Sequence, residues 1–157
     1  MTETLSTEVH RSVTVNATQE RAFDVFTGKW LSWWPLEHHI GATELADVVV
    51  EPVTGGRWYE VGTDGTECDW GAVLAWEPHG RIVLSWHLNG DWEYDPDPAH
   101  ASEVEVRFVA ETPDRTRVEL VHRNFERHAH KPDQVRGGVG GEGGWGTILT
   151  GYAAAFV

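Results

Sequence analysis

Basic residues are scarce in this chain: 12 Lys and Arg stand against 25 Asp and Glu, a formal net charge of -13 over 157 residues. A surface of that sign argues against nucleic acid as a partner, because phosphate binding needs clustered cations. It argues equally against an anionic membrane, and the acidity is read as serving solubility. Cysteine is nearly absent. With Cys68 alone, no internal disulfide can form, which fits a reducing compartment. No apolar run approaches the ~20 residues of a membrane helix. The first residues, Met1 to Val9, lack the apolar core of a signal peptide. The expectation is one cytoplasmic domain over residues 1–157, with 1–7 as a disordered tail.

Tryptophan, by contrast, is abundant, with nine in the chain. Most such residues in a small domain are core, so the question is which of them fill space and which line it. Period-two runs predict strands over Glu8–Val15, Val48–Val50, Arg57–Val61, Asp69–Glu77, Arg81–Leu88, Ser102–Ala110 and Thr116–Phe125. Asp64-Gly65 and Pro113-Asp114 supply turns, and Asn89–Ala101 reads as a long polar loop. Thr18 is a candidate N-cap for a short helix that buries Ala22, Phe23 and Phe26 and stops near Gly28. A closing helix places Trp145, Ile148, Leu149, Tyr152 and Phe156 on one face. Strands without alternating helices predict an antiparallel α+β domain, not a parallel sheet.

Several motifs bear on chemistry. Gly138 to Gly143 matches a dinucleotide-binding pattern, but no strand precedes it and too little chain follows, so it is read as a flexible joint and no cofactor is implied. Strand phase points His122 at the concave face, as a core histidine or a ligand contact. His128 and His130 fall in a charged loop and are expected to be solvated; no metal site is predicted. If Trp58 faces inward, so does Glu60, a buried carboxylate in need of donors; the opposite phase would put Tyr59 inside. An inward Glu60 could act with His122 as an acid/base pair. Trp70, Leu74 and Trp76 share one predicted face, and Trp86 shares another with Ile82 and Leu84. Ser85 and His87 lie on one strand face, the convex one, with no oxyanion donor, so a hydrolase is disfavoured.

The run Thr116-Arg117-Val118-Glu119-Leu120-Val121-His122 and the Gly144-Trp145 before the last helix resemble the START-like (SRPBCC) superfamily. So do Asp69-Trp70-Gly71-Ala72-Val73, Glu77-Pro78 and Leu84-Ser85-Trp86. Within it the chain is similar to the group named after activators of heat shock protein 90 ATPase. The resemblance implies a helix-grip fold: a curved antiparallel sheet of six to seven strands around a long C-terminal helix, with two short helices after the first strand. It further implies an apolar or aromatic small-molecule ligand held between sheet and helix. The contacts expected are Trp33, Trp34, Trp58, Glu60, Trp70, Trp86, His122, Trp145, Leu149 and Tyr152. Two alternatives stand beside this binding protein. One is a polyketide cyclase or dehydratase using Glu60 and His122; the other is a chaperone-linked interaction module. Nothing in the sequence excludes a homodimer.

Overall fold

A computed structural model describes residues 8–141 and 143–156; the expected tail at 1–7 lies outside the described residues. Seven antiparallel strands form one sheet in the order β1-β7-β6-β5-β4-β3-β2. They are β1 (Val9–Val15), β2 (Leu45–Val50), β3 (Arg57–Gly62), β4 (Glu67–Glu77), β5 (Arg81–Trp86), β6 (Ser102–Thr112) and β7 (Arg115–Arg123). Only the β1–β7 pairing joins the ends of the chain, with Val9 opposite His122 and Val15 opposite Thr116. The helix α1 (Gln19–Gly28) begins where the Thr18 hydroxyl accepts from the Arg21 amide at 3.1 Å, and it buries Ala22, Phe23, Val25 and Phe26. A 3-10 turn over Trp30–Ser32 follows it.

The chain closes with two helices in place of one long one. Of the stretch from Gly138 to Gly143 expected to be a flexible joint, Gly138–Gly140 form the last turn of a helix, α2 (Pro132–Gly140), and α3 spans only Trp145–Ala154. Pro132 starts α2 at a position where its missing N–H costs nothing, and Val135 and Val139, one turn apart, are buried. Glycine is a poor helix former, yet here its lack of a side chain is used. A Cβ on Gly138 would stand 2.8 Å from the Trp92 ring, and one on Gly140 would stand 2.9 Å from Val9. Tertiary packing therefore overrides propensity. On α3 the expected face is buried throughout, Phe156 included just beyond its end.

Four register shifts interrupt the ladders of the described sheet, at Leu45/Asp47, Trp58/Tyr59, Val73/Ala75 and Ala110/Thr112. They also break the simple alternation expected for β4. Trp70 and Val73 are buried, Leu74 is 44% exposed, and Trp76 packs against Phe23 at 5.1 Å between ring centroids. Leu74 thus does not share a face with the two tryptophans; the shift at Val73/Ala75 turns it outward. The convex face of β5, β6 and β7 carries cross-strand ion pairs joining Arg81, Glu105, Arg123 and Glu103. No helix among the described residues is long and apolar enough to cross a membrane.

Gly71 marks the tightest point of the bend: a Cβ there would collide with the carbonyl oxygen of Ser85. That neighbour is backbone, so no rotamer change relieves the clash. Gly71→Ala is expected to cost about 3 kcal/mol or more, the upper end of overpacking penalties. Urea denaturation of the two proteins measures it; an unchanged midpoint would contradict this account of the bend.

Candidate functional site

The hollow between sheet and helices is divided. Towards α1 it is filled: Phe26 stacks on Trp33 at 4.8 Å, and Trp33 meets Tyr152 at 5.3 Å. The Tyr152 hydroxyl donates to the Ala22 carbonyl at 2.6 Å, and burial pushes its phenol pKa up. Trp30, Trp58 and Leu149 are fully buried in the same mass. Fully burying one aromatic of this size removes roughly 150–250 Å2 from water, an upper limit of about 4–6 kcal/mol of gross transfer energy.

At the other end of the sheet the space stays open as a cavity of about 430 Å3. Its inner wall is made by Trp34, Trp70, Trp86, Leu88, Trp145 and Ile148. The rim is formed by Glu37, His38, His39 and Ile40 on one side, and by Trp92, Gly138 and Gly143 on the other. The rings make a continuous arc, with centroids 5.3 Å apart for Trp34–Trp70, 6.1 Å for Trp34–Trp145, 5.9 Å for Trp86–Trp145 and 6.4 Å for Trp86–Trp92. Each inner-wall indole gives its N–H to the protein. Trp34 donates to the His38 carbonyl at 2.9 Å and Trp86 to the Leu88 carbonyl at 3.0 Å. Trp70 donates to Glu60 Oε1 at 2.8 Å and Trp145 to His122 Nδ1 at 3.0 Å. What remains facing the cavity is ring surface.

Of the ten residues expected to meet a ligand, four therefore stand on the wall: Trp34, Trp70, Trp86 and Trp145. Trp33, Trp58, Leu149 and Tyr152 do not, because they are spent on the packed half of the interior. Trp33 in particular meets its neighbour Trp34 edge-on at 6.0 Å and donates to the Val25 carbonyl at 3.1 Å.

Glu60 takes the inward phase and is completely buried, but behind the wall. Oε1 accepts from the Ile40 amide at 2.6 Å as well as from Trp70, and Oε2 accepts from the Gly41 amide at 3.0 Å. The carboxylate thus ties the rim segment to the sheet. Its lone pairs are engaged by fixed donors rather than offered to the cavity.

His122 is also fully buried, with Nδ1 capped by Trp145 and Nε2 bonded to Ser102 Oγ at 2.8 Å. Burial, reinforced by His128, holds its pKa well below the usual histidine value. Glu60 and His122 do not face one another across the cavity as an acid/base pair would; each sits beneath a different wall tryptophan.

His128, expected to be solvated, is instead buried and bonds Ser102 Oγ through Nε2 at 2.8 Å. The 3-10 turn at Phe125–Arg127 folds it back over the end of β6. His130 does reach the surface and pairs with Asp91. Ser85 and His87 are bonded at 2.9 Å, yet both are buried, with His87 stacked beneath Tyr94. The rim histidines, which sequence phase did not single out as contacts, are half-buried on the cavity edge. His39 Nδ1 lies 3.0 Å from the Gly41 carbonyl, so it carries a proton, and in the neutral ring the lone pair is on Nε2. Among the described residues, no three His, Cys, Asp or Glu side chains are placed to hold a metal ion.

Comparison with known proteins agrees with this frame. The anthrahydroquino-gamma-pyrone synthase Txn09, solved as a complex, is 38% identical over 94% of this chain and 96% of its own, with a TM-score of 0.67. CalC from Micromonospora echinospora, a self-sacrificing resistance protein, is 33% identical over 95% and 93%, with a TM-score of 0.68. The Aha1 dimer from Colwellia psychrerythraea shares the fold at 15% identity, over 95% of each chain, with a TM-score of 0.61. No curated protein sequence matches this chain. The family described as Activator of Hsp90 ATPase homolog 1-like protein matches residues 16–156. The seven-stranded sheet, its helical cover and that match together place the chain in the Activator of Hsp90 ATPase homolog 1-like family, a branch of the START-like superfamily with the helix-grip fold.

Proposed function

We propose that the cavity holds a planar, polycyclic aromatic small molecule of the kind made from polyketides. The observation that carries this is the fate of the indole N–H groups: all four inner-wall tryptophans direct theirs into the protein. A ligand there meets π faces and edges and few hydrogen-bonding groups, so flat apolar surface is favoured and a buried polar substituent is not. Polar edges belong at the rim, beside Glu37, His38 and His39. The volume of about 430 Å3 lies within the roughly 300–1,000 Å3 of small-molecule sites. The likeness to the pyrone synthase, whose name denotes an aromatic polycycle, supports the same ligand class.

A second reading, ring closure by acid/base catalysis, is favoured by that same relative being a synthase. In this chain the groups available at the cavity are the rim ones, with His39 Nε2 as the base. Glu60 and His122 then support the site from behind without touching the substrate.

Alizarin, a hydroxylated anthraquinone, should quench the intrinsic fluorescence saturably and bind more tightly than palmitate. Trp34→Ala should weaken it about tenfold or more, and Trp76→Phe should not. Equal affinity for Trp34→Ala and the parent would remove the cavity from the account.

Glu60→Gln separates support from catalysis. Glutamine sets an NH2 against one of three fixed donors, which costs about 1–3 kcal/mol, so thermal stability and alizarin affinity should fall together. Loss of turnover with both left intact would instead make Glu60 a group that meets substrate.

A further inference from the structure

Behind the cavity wall, four buried side chains form a single hydrogen-bonded line. Trp145 Nε1 lies 3.0 Å from His122 Nδ1, and Ser102 Oγ lies 2.8 Å from both His122 Nε2 and His128 Nε2. Their direction is fixed from one end. An indole N–H only donates, so His122 Nδ1 must hold the lone pair and its proton must sit on Nε2. Ser102 then accepts from His122 and turns its own proton towards His128 Nε2, the other partner of that hydroxyl among the described residues. His128 is left with its proton on Nδ1, a buried atom that has no partner among the described residues. Every bond points the same way, from the cavity wall towards the segment that carries His87, Asp95 and His100.

We propose that this line couples protonation of His128 to the seating of Trp145, so that a charge on His128 releases the indole and weakens ligand binding. The proposal rests on the cavity being the ligand site and adds how that site is controlled. A charged His128 donates from both nitrogens. Ser102 must then accept from His128, and its hydroxyl turns to His122 Nε2. That nitrogen can accept only if the His122 proton moves to Nδ1, through exchange with solvent during local opening. The net change is one proton taken up from solvent. Trp145 N–H and His122 Nδ1–H are now two donors face to face, and the indole loses its anchor. By linkage, a ligand that packs on the seated Trp145 lowers the proton affinity of His128.

The surroundings decide when this happens. His122 is packed against Trp86 at 5.1 Å and Phe125 at 4.4 Å, both uncharged. Burial is the largest influence on His128; His87 and His100 add to it and Asp95 opposes it, with the net result pushed down to about 4. Nearby charges on its own segment are engaged elsewhere, Arg127 by Glu103, and His130 and Lys131 by Asp91. Arg123, on β7 beside His122, is paired with Glu103 and Glu105. An unfolded histidine titrates at about 6.5, so between that value and about 4 the unfolded chain binds more protons. Stability is complete above the upper value and falls as pH drops through that window.

Proton–nitrogen correlation spectra of the nitrogen-labelled protein test the line without any ligand. At neutral pH the proton of His122 should be on Nε2 and that of His128 on Nδ1. On acidification towards pH about 4, the Trp145 indole signal should shift with the midpoint of His128 while far-ultraviolet dichroism stays native. Alizarin affinity should fall about tenfold over the same range. In His128→Gln the indole signal should stay flat. Two results would overturn the proposal: a His122 proton on Nδ1 at neutral pH, or an indole signal indifferent to the titration of His128. The second is expected if Ser102 simply accepts from both rings and leaves its hydroxyl proton unpaired. Should alizarin fail to bind at any pH, the ligand reading falls, while the indole and imidazole signals still decide the coupling.

Discussion

A buried indole brings a donor into the interior along with its ring, and that donor has to be answered. Leaving one unpaired costs about 1–3 kcal/mol, a large fraction of the stability of a domain this size. Four answers organise the cavity end of this protein. The carbonyls of His38 and Leu88 bind Trp34 and Trp86, so the loops after the 3-10 turn and after β5 are held against the wall. Glu60 answers Trp70, and His122 answers Trp145. The two polar side chains most suggestive of catalysis are thereby accounted for as acceptors. Trp30 and Trp58, deep among other rings, have no acceptor among the described residues, and both lie in the packed half.

Glu60 shows how one such answer spreads. Two further donors, the amides of Ile40 and Gly41, converge on the same carboxylate, so the rim is fastened to β3 through the group that orients a wall tryptophan. A Cβ on Gly41 would stand 3.1 Å from Glu60 Oε2, tighter than ordinary contact, so glycine lets the rim come this close. Shape and recognition are therefore not independent here. The position of Trp70, the position of the rim histidines and the burial of Glu60 are one arrangement.

The fold was legible because its evidence is periodic. Alternation marked all seven strands to within a few residues, and Trp145, Ile148, Leu149, Tyr152 and Phe156 marked the covering face of the last helix. Strand phase also put His122 inside, while for Glu60 it left two phases, of which the structure takes the inward one. What alternation could not carry was the register shift at Val73/Ala75, which turns Leu74 out, or the fact that α2 forms from a glycine-rich stretch because Trp92 and Val9 press against it. Nor does inward phase distinguish a wall residue from one behind the wall. Trp33 and Trp34 are adjacent in sequence, yet one fills and the other lines, because α1 and Tyr152 claim the first. His128 was hidden for a related reason: its neighbours Arg127 and Lys131 are charged, and only the turn at Phe125–Arg127 brings it under cover to Ser102.

The same reasoning explains why Trp145 differs from its three companions on the wall. Two of them donate to backbone carbonyls and one to a carboxylate, acceptors with no second tautomer to exchange with. Imidazole is the acceptor in the set that can become a donor at the same atom without a change of charge, by moving its proton from one nitrogen to the other. Placing it under Trp145, at the first residue of α3, makes the seat of that indole conditional where the other three are fixed. Ser102 extends the condition to His128, because a hydroxyl both accepts and donates and so transmits a reversal of direction where a backbone amide could not. A carbonyl in place of His122 would anchor Trp145 as well and leave the wall indifferent to acid; a histidine there links the cavity, through Ser102, to His128 at the end of β6.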